Sequence, residues 1–254
     1  MNGLLDAVGL LTRVPVGARV SGSSPLARAV PWFPVVGAAV GVAIACAYVV
    51  AEAVLPAGIA AILATVVGAV VTGAFHEDGL ADVADAFGGG WTPEQRLAIL
   101  DDPRLGTFGV IALASSLLVR IGAIGSLDPR SAFALVPAAH ALSRVAGIVL
   151  MRRLPLAHPS GLGASYAAGL TSAGEIVAVI AGLAIAALLI GLWVIPAAAL
   201  CAVAAWGMGA LARAKIGGIS GDVLGATQQV AELGILLLGV IVLHERWTTL
   251  AWWA

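Results

Sequence analysis

The chain has 254 residues, 61% of them hydrophobic and 11% charged, with 32 glycines besides; soluble domains carry about 45–50% apolar residues, glycine included, and about 25% charged. So little polar material, with a mean hydropathy of +1.04, excludes a water-soluble globular enzyme and points to a polytopic membrane protein. Thirteen basic against fourteen acidic side chains leave a formal charge of -1, which offers no electrostatic footprint to nucleic acid.

The opening residues, Met1 to Leu11, include Asp6 and have neither a basic n-region nor a small-residue cleavage site, so a removed signal peptide is not expected. Apolar runs predict seven transmembrane helices, at residues 32–55, 57–75, 105–127, 132–151, 175–195, 196–212 and 223–243. Open strands are excluded at such depths because unpaired backbone groups in lipid cost too much, and barrel strands would be shorter and alternating. Pro31, Pro34, Pro56 and Pro196 fall near span ends, where a missing N–H does least harm. The glycines of residues 36–42 permit close helix packing. Cys46 and Cys201 each sit alone in an apolar run and match no metal-ligand spacing or disulfide framework.

Basic residues set the orientation, because cytoplasmic flanks collect Lys and Arg. Arg13, Arg19 and Arg28 precede the first run, Arg96 and Arg104 follow the second, Arg152 and Arg153 the fourth, and Arg213 and Lys215 the sixth. Arg130 and Arg246 alone fall on the other side, while Arg120 and Arg144 lie within runs. The reading is therefore an all-α polytopic bundle over residues 1–254 as one transmembrane domain, with a cytoplasmic N-terminus. It puts three polar loops, near residues 76–104, 152–174 and 213–222, on the cytoplasmic side of a multi-pass inner-membrane protein.

The first loop is acidic: Glu77, Asp78, Asp82, Asp85, Glu94, Asp101 and Asp102 are half of all the carboxylates. If the second helix continues past Phe75, Asp78, Asp82 and Asp85 stand at i, i+4 and i+7, within about 60° on one face. Like charges at that spacing repel unless a cation bridges them. Hard oxygen ligands select Mg²⁺, Mn²⁺ or Ca²⁺ over zinc, and a site made from a few carboxylates usually uses Mg²⁺ together with substrate phosphates. Spacing alone also allows a solvated acidic helix end. Gly79 inside the stretch costs about 1 kcal/mol against alanine and lets something approach the backbone. His76 is either a base beside the metal or a hydrogen-bonded surface residue. Gly88, Gly89 and Gly90 break the helix, and Thr92 with Gln95 forms a capping box around Pro93. The short helix begun there ends before Pro103 and Gly106 and leaves Asp101, Asp102 and Arg104 at the membrane edge.

Gly217, Gly218, Ile219, Ser220, Gly221 and Asp222 precede the last run and put glycine amides and Asp222 at a helix start, a weak signal for phosphate. Gln228, Gln229 and Glu232 lie deeper, on a helix that should be apolar. Arg120 and Arg144 cost about 2.5–3.5 kcal/mol each near a span centre, so each needs a partner such as Glu232 or a substrate phosphate. Arg120, nearer its run's end, is expected to snorkel.

Several ordered motifs then resemble the cobalamin synthase family, also called adenosylcobinamide-GDP ribazoletransferases. Leu11-Thr12-Arg13-Val14-Pro15-Val16 and Phe33-Pro34-Val35-Val36-Gly37 are similar to its first two segments. The run Gly73-Ala74-Phe75-His76-Glu77-Asp78-Gly79-Leu80-Ala81-Asp82-Val83-Ala84-Asp85 resembles its central signature, glycine-x-phenylalanine-histidine-x-aspartate-glycine-leucine-alanine-aspartate-x-x-aspartate. Arg104 to Gly109, Ser143-Arg144, Gly161-Leu162-Gly163 and Gly221 to Ala226 with Glu232 follow in the family's order. Asp101-Asp102-Pro103, His158 and Ser160 depart from the pattern and take no role from it.

The resemblance implies a Mg²⁺-dependent transferase of the last nucleotide-loop step, joining adenosylcobinamide-GDP to α-ribazole, or its 5′-phosphate, with release of GMP. It also implies residue roles. Asp78, Asp82, Asp85 and Asp222 would be metal ligands and catalytic carboxylates, with His76 or an aspartate as base, and Arg104, Arg144, Gly221 and Glu232 would contact substrate. The expected partners are the two substrates, the lipid bilayer and further copies of the chain. The rival reading is a transporter, in which Arg120, Arg144 and Glu232 line a midplane path.

Overall fold

Residues 2–16, 28–157 and 170–245 are described by the computed structural model of the chain. Within them the chain forms ten α-helices: α1 (Asn2–Leu11), α2 (Phe33–Glu52), α3 (Ala57–Thr72), α4 (Phe75–Gly89), α5 (Pro93–Leu100), α6 (Thr107–Gly125), α7 (Pro129–Arg153), α8 (Ser172–Ile190), α9 (Val194–Ile216) and α10 (Gly221–His244). The described residues hold no strand, only a parallel bridge between Leu156 and Ile219. The all-α polytopic bundle read from hydropathy is the fold observed. The motif Gly161-Leu162-Gly163, together with His158 and Ser160, lies outside the described residues.

Among the described residues five segments are long and apolar enough to cross a membrane: Val30–Glu52, Thr107–Ile124, Pro129–Arg153, Ser172–Ile216 and Gly221–His244. All seven expected helices are present, but the seven do not count as seven crossings by these measures. Helix α3 qualifies only together with α4, at a bend of 91°. Ser172–Ile216 qualifies as one run of 45 residues, which at 1.5 Å per residue would be about twice the thickness of a hydrocarbon core. Gly191, at φ 55°, and the 3-10 turn Gly191–Trp193 divide that run into α8 and α9.

Helix α7 is the axis of the bundle, with its span 89% buried against 22% for Ser172–Ile216. Its closest neighbour is α2, and two glycines one turn apart make that approach possible. A methyl group on Gly37 would strike the His140 carbonyl and the Arg144 side chain, and one on Gly41 would lie 2.5 Å from Pro137 Cα. The small-residue stripe expected at residues 36–42 thus lets backbone meet backbone and leaves room for a guanidinium.

The expected second helix, residues 57–75, is in fact two. Gly73 and Ala74 both take the left-handed conformation, at φ 68° and 55°, and α4 turns away from α3 there. For alanine that conformation costs about 1–2 kcal/mol. Thr12-Arg13 supports the turn: the Arg13 amide donates to the Val71 carbonyl at 2.7 Å, and the Arg13 side chain lies across Gly73 where a Cβ would be. Helix α4 stops at Gly89, and α5 starts with the capping box of Thr92 and Gln95.

Three polar segments meet at one end of the bundle. Lys215 Nζ donates to the Phe87 carbonyl at 3.3 Å, and Arg96 donates to the Lys215 carbonyl at 3.0 Å. Ile219 exchanges backbone hydrogen bonds with Pro155 and Ala157 at 2.9 and 2.8 Å. The loop after α7, the α4–α5 region and the start of α10 therefore form one polar surface.

Candidate active site

The helical spacing of Asp78, Asp82 and Asp85 survives the bend, because residues 75–89 are helical in their own right. Burial increases along the stripe: Asp78 is exposed, Asp82 half-buried and Asp85 buried. Asp222 joins them from the first turn of α10. The two helices touch at Gly79, where an added Cβ would lie 2.9 Å from the Asp222 carbonyl oxygen and 3.0 Å from its Cα. This is the close approach that Gly79 allows. Asp82 consequently feels the charges of Asp78, Asp222 and Asp85, and Asp222 those of Asp78 and Asp101. Among the described residues no cation is paired with Asp78, Asp82 or Asp222.

Asp85, expected as a metal ligand, serves in this structure as a helix cap. Its Oδ2 accepts from the Gly106 amide at 2.7 Å and its Oδ1 from the Gly109 amide at 2.8 Å, so it caps the start of α6. Backbone amides at a helix N-terminus satisfy a carboxylate without any cation. Both glycines are required, since a Cβ on either would collide with that carboxylate. The donor set that remains, Asp78, Asp82 and Asp222, is of hard oxygens and suits Mg²⁺ or Mn²⁺ in kind. Among the described residues no three His, Cys, Asp or Glu side chains are drawn together as a finished coordination sphere. A cation with substrate oxygens in its shell needs fewer protein ligands than that.

The glycine-rich segment before α10 is used differently from a free phosphate nest. Gly217, at φ 77°, ends α9. Gly218 lies against the Pro155–Ala157 backbone, and the Ile219 amide is bonded to Pro155. Ser220 caps α10 by accepting from the Val223 amide at 3.3 Å and donates to Asp222 at 3.2 Å. Gly221, the first residue of α10, faces open space. Arg104 is tied to Asp102, with Nε donating at 2.9 Å, and stands 86% exposed. Hydrogen bonds from Arg104 hold the Asp102 carboxyl down to about 2.

A second set of charges lies inside the bundle. Arg120 of α6 donates to Glu77 of α4 at 3.1 Å and to Glu232 of α10 at 3.0 Å, and also bonds Gln229. Gln229 donates to the same Glu77 oxygen at 3.2 Å. Arg144 of α7 donates to Glu232 at 3.3 Å, and His140 lies 3.1 Å from Arg144 and 3.2 Å from Glu232. Glu77 Oε2 and Arg144 Nε are buried without a hydrogen-bond partner. These residues and His76 enclose a cavity of about 10 Å³, room for one water molecule and not for a phosphate.

Three expectations change accordingly. Arg120 does not snorkel: it is 4% exposed and paired with two carboxylates. Arg144 and Glu232, expected at the substrate, are 3% and 0% exposed and are bound to each other. His76, a candidate base, lines the same interior cavity instead of standing free beside the aspartates. Glu77, Gln229 and His140 carried no role in the sequence reading. Their signal was present in the spacing, with Gln229 three residues from Glu232, His140 four from Arg144, and Glu77 beside Asp78, since charges at membrane depth need partners.

The sequence profile of the family described as cobalamin-5-phosphate synthase matches residues 3–241. The chain is 39% identical over 258 residues to the adenosylcobinamide-GDP ribazoletransferase of Ralstonia pickettii (strain 12J), covering 98% of this chain and 95% of that one. It is 34% identical over 257 residues to the enzyme of that name from Chlorobaculum tepidum, covering 99% and 100%. It is 45% identical over 177 residues to that from Rhizobium etli (strain CFN 42), covering 66% and 68%. No solved structure matches the chain.

Proposed function

Because the chain belongs to the cobalamin-5-phosphate synthase family, we propose that it is an adenosylcobinamide-GDP ribazoletransferase embedded in the membrane, working at its carboxylate-bearing end. A ribose hydroxyl of α-ribazole, or of its 5′-phosphate, attacks the phosphorus next to cobinamide. The diphosphate bridge breaks, a phosphodiester forms, GMP leaves, and the hydroxyl proton passes to a base.

The observation that carries this reading is the meeting of Asp78 and Asp82 with Asp222, at a surface where no described cation balances them. Phosphoryl transfer asks little covalent help of a protein and much positioning and charge compensation. Asp78, Asp82 and Asp222 would hold Mg²⁺ or Mn²⁺; when bound, such an ion neutralises diphosphate oxygens and orients the attacking alcohol. Asp85 fixes the start of α6 against the stripe. Arg104, exposed two residues before Gly106, is placed to meet a phosphate by exchanging its Asp102 partner. Gly221 leaves the α10 start open to a ligand. The transporter reading has no support among the relatives, which are named as adenosylcobinamide-GDP ribazoletransferases.

Purified protein given adenosylcobinamide-GDP and α-ribazole should release GMP only with Mg²⁺ or Mn²⁺ present. Release that continues unchanged in a chelator would remove the ion from the reading, and no release at any ion concentration would remove the reaction. We place the carboxylate end in the cytoplasm, on the distribution of basic residues. Cysteines at Thr92 and Arg213 should resist an impermeant reagent added to intact cells and one at Pro129 should react; the opposite pattern reverses the orientation.

A further inference from the structure

Helix α4 carries two of the carboxylates on which the proposed reaction depends, yet helical continuity does not hold it in place. The left-handed pair Gly73-Ala74 separates it from α3, and α3 and α4 stand at 91°. Near its far end it is held by Asp85 on the Gly106 and Gly109 amides and by Lys215 on the Phe87 carbonyl, and near its start two further contacts fix it. Gly79 rests on the Asp222 backbone. Two residues earlier, Glu77 points into the bundle and is gripped by Arg120 at 3.1 Å and Gln229 at 3.2 Å. Its neighbour Asp78 is exposed, so one peptide unit joins the buried ion pair to the first carboxylate of the stripe.

The charges balance only with Glu77 included. Arg120 and Arg144 face Glu77 and Glu232, and all four are buried. A buried guanidinium deprived of a partner is strongly unfavourable, whereas a complete set is tolerated and holds its members in fixed register. Arg120 accordingly ties α4 to α6 and α10 at a defined depth.

We propose that Glu77 is a positioning residue for the transferase: its buried pairing with Arg120 sets the register of α4, so that Asp78 and Asp82 confront Asp222. The inference rests on the reading of those aspartates given above. Glu77 touches neither substrate nor ion in this scheme and acts through the residues that follow it.

The test uses the full-length detergent-solubilised protein and two variants, Glu77→Gln and Glu77→Gln/Arg120→Gln. The double variant restores charge balance, leaving Arg144 with Glu232, but not the ion pair between α4 and α6. Four quantities are read: kcat, KM for adenosylcobinamide-GDP, the Mn²⁺ concentration at half-saturation by paramagnetic resonance of free Mn²⁺, and the melting temperature. Glu77→Gln should lower the melting temperature, reduce kcat at least tenfold and raise half-saturating Mn²⁺ several-fold, with KM within twofold. The double variant should regain most of the melting temperature and little of the kcat or Mn²⁺ affinity. Recovery of kcat together with stability would show that charge balance alone matters and overturn the proposal. So would wild-type kcat and Mn²⁺ binding in Glu77→Gln. If Glu77→Gln does not fold, the double variant decides by the same criteria. If wild-type protein binds no Mn²⁺, the metal assignment fails separately and kcat alone decides the role of Glu77.

Discussion

The molecule holds two groups of charges that meet α4 at adjacent residues, the buried Glu77 and the exposed Asp78, and they are built on opposite principles. Inside, acids and bases from α4, α6, α7 and α10 satisfy one another around a cavity of about 10 Å³. At the end of the bundle, Asp78, Asp82 and Asp222 confront one another with no described cation. Charges in the first group are paired acid to base, with only Glu77 Oε2 and Arg144 Nε left without a hydrogen-bond partner, so they organise helices. Charges in the second have no cation beside them among the described residues, and in the proposed reaction they would take a ligand. Depth in the membrane enforces the difference, because an unpaired charge is far costlier there than at the edge.

The largest effect should come from breaking the inner group. Glu232→Leu leaves Arg120 and Arg144 against Glu77 alone, and an uncompensated buried charge costs about 3–5 kcal/mol. The variant should be lost from the folded fraction in size-exclusion and thermal-melt measurements; wild-type stability would mean that the interior charges are not the organising group. Breaking the outer group should do the reverse. Asp78→Asn and Asp82→Asn should melt near wild type and lose at least about a hundredfold in GMP release, equivalent to about 2.7 kcal/mol. Partial recovery at higher Mg²⁺ would mark affinity as the damaged quantity, while turnover near wild type would return the stripe to a solvated acidic helix end.

Gly79→Ala sharpens the comparison at the seam between the groups. Its methyl group would press on Asp222 backbone at 2.9–3.4 Å, so the helices must separate by a few tenths of an ångström. We expect about a tenfold fall in kcat, near 1.4 kcal/mol, with retained fold; unchanged kcat would show that the seam tolerates displacement. Arg104→Gln should raise KM several-fold without changing the melting temperature, because its pair with Asp102 is exposed and such pairs contribute little. An unchanged KM would take Arg104 off the substrate. Smallest of all, Glu94→Gln, on the exposed first turn of α5, should leave turnover and stability as they are, and a loss comparable to that of Asp82→Asn would erase the distinction between stripe and surface.

Much of this was written in local sequence. The capping box at Thr92 and Gln95, the stop at Gly88 to Gly90 and the glycine stripe of α2 are local signals, and each appears where the spacing places it. The same-face arrangement of Asp78 and Asp82 was legible for the same reason. The elbow was not, since nothing in an alanine's side chain announces a left-handed backbone, and Ala74 adopts it because Arg13 and the packing of α4 hold it there. Of the partners of Arg120, Glu232, 112 residues after it, was named as a candidate, whereas Glu77, 43 residues before it, was not. Hydropathy reads a guanidinium near a span end as free to reach water. Only the tertiary fold shows a carboxylate from a bent helix waiting inside. Asp85 illustrates the same limit, since its capping partners at Gly106 and Gly109 lie beyond α5.

The spacing of the interior pairs along the chain also has a consequence for synthesis. Glu77 precedes Arg120 by 43 residues, so when α6 leaves the ribosome its arginine already has a partner in the membrane. Arg144 follows soon after, but its carboxylate, Glu232, is 88 residues further on, in the final helix. For the whole interval α7, the axis of the bundle, carries a cation whose counter-charge has not yet been made. Arrival of α10 therefore completes the assembly, and the same helix brings Asp222 to the stripe. A chain truncated before α10 lacks both the counter-charge of Arg144 and the Asp222 side of the carboxylate group.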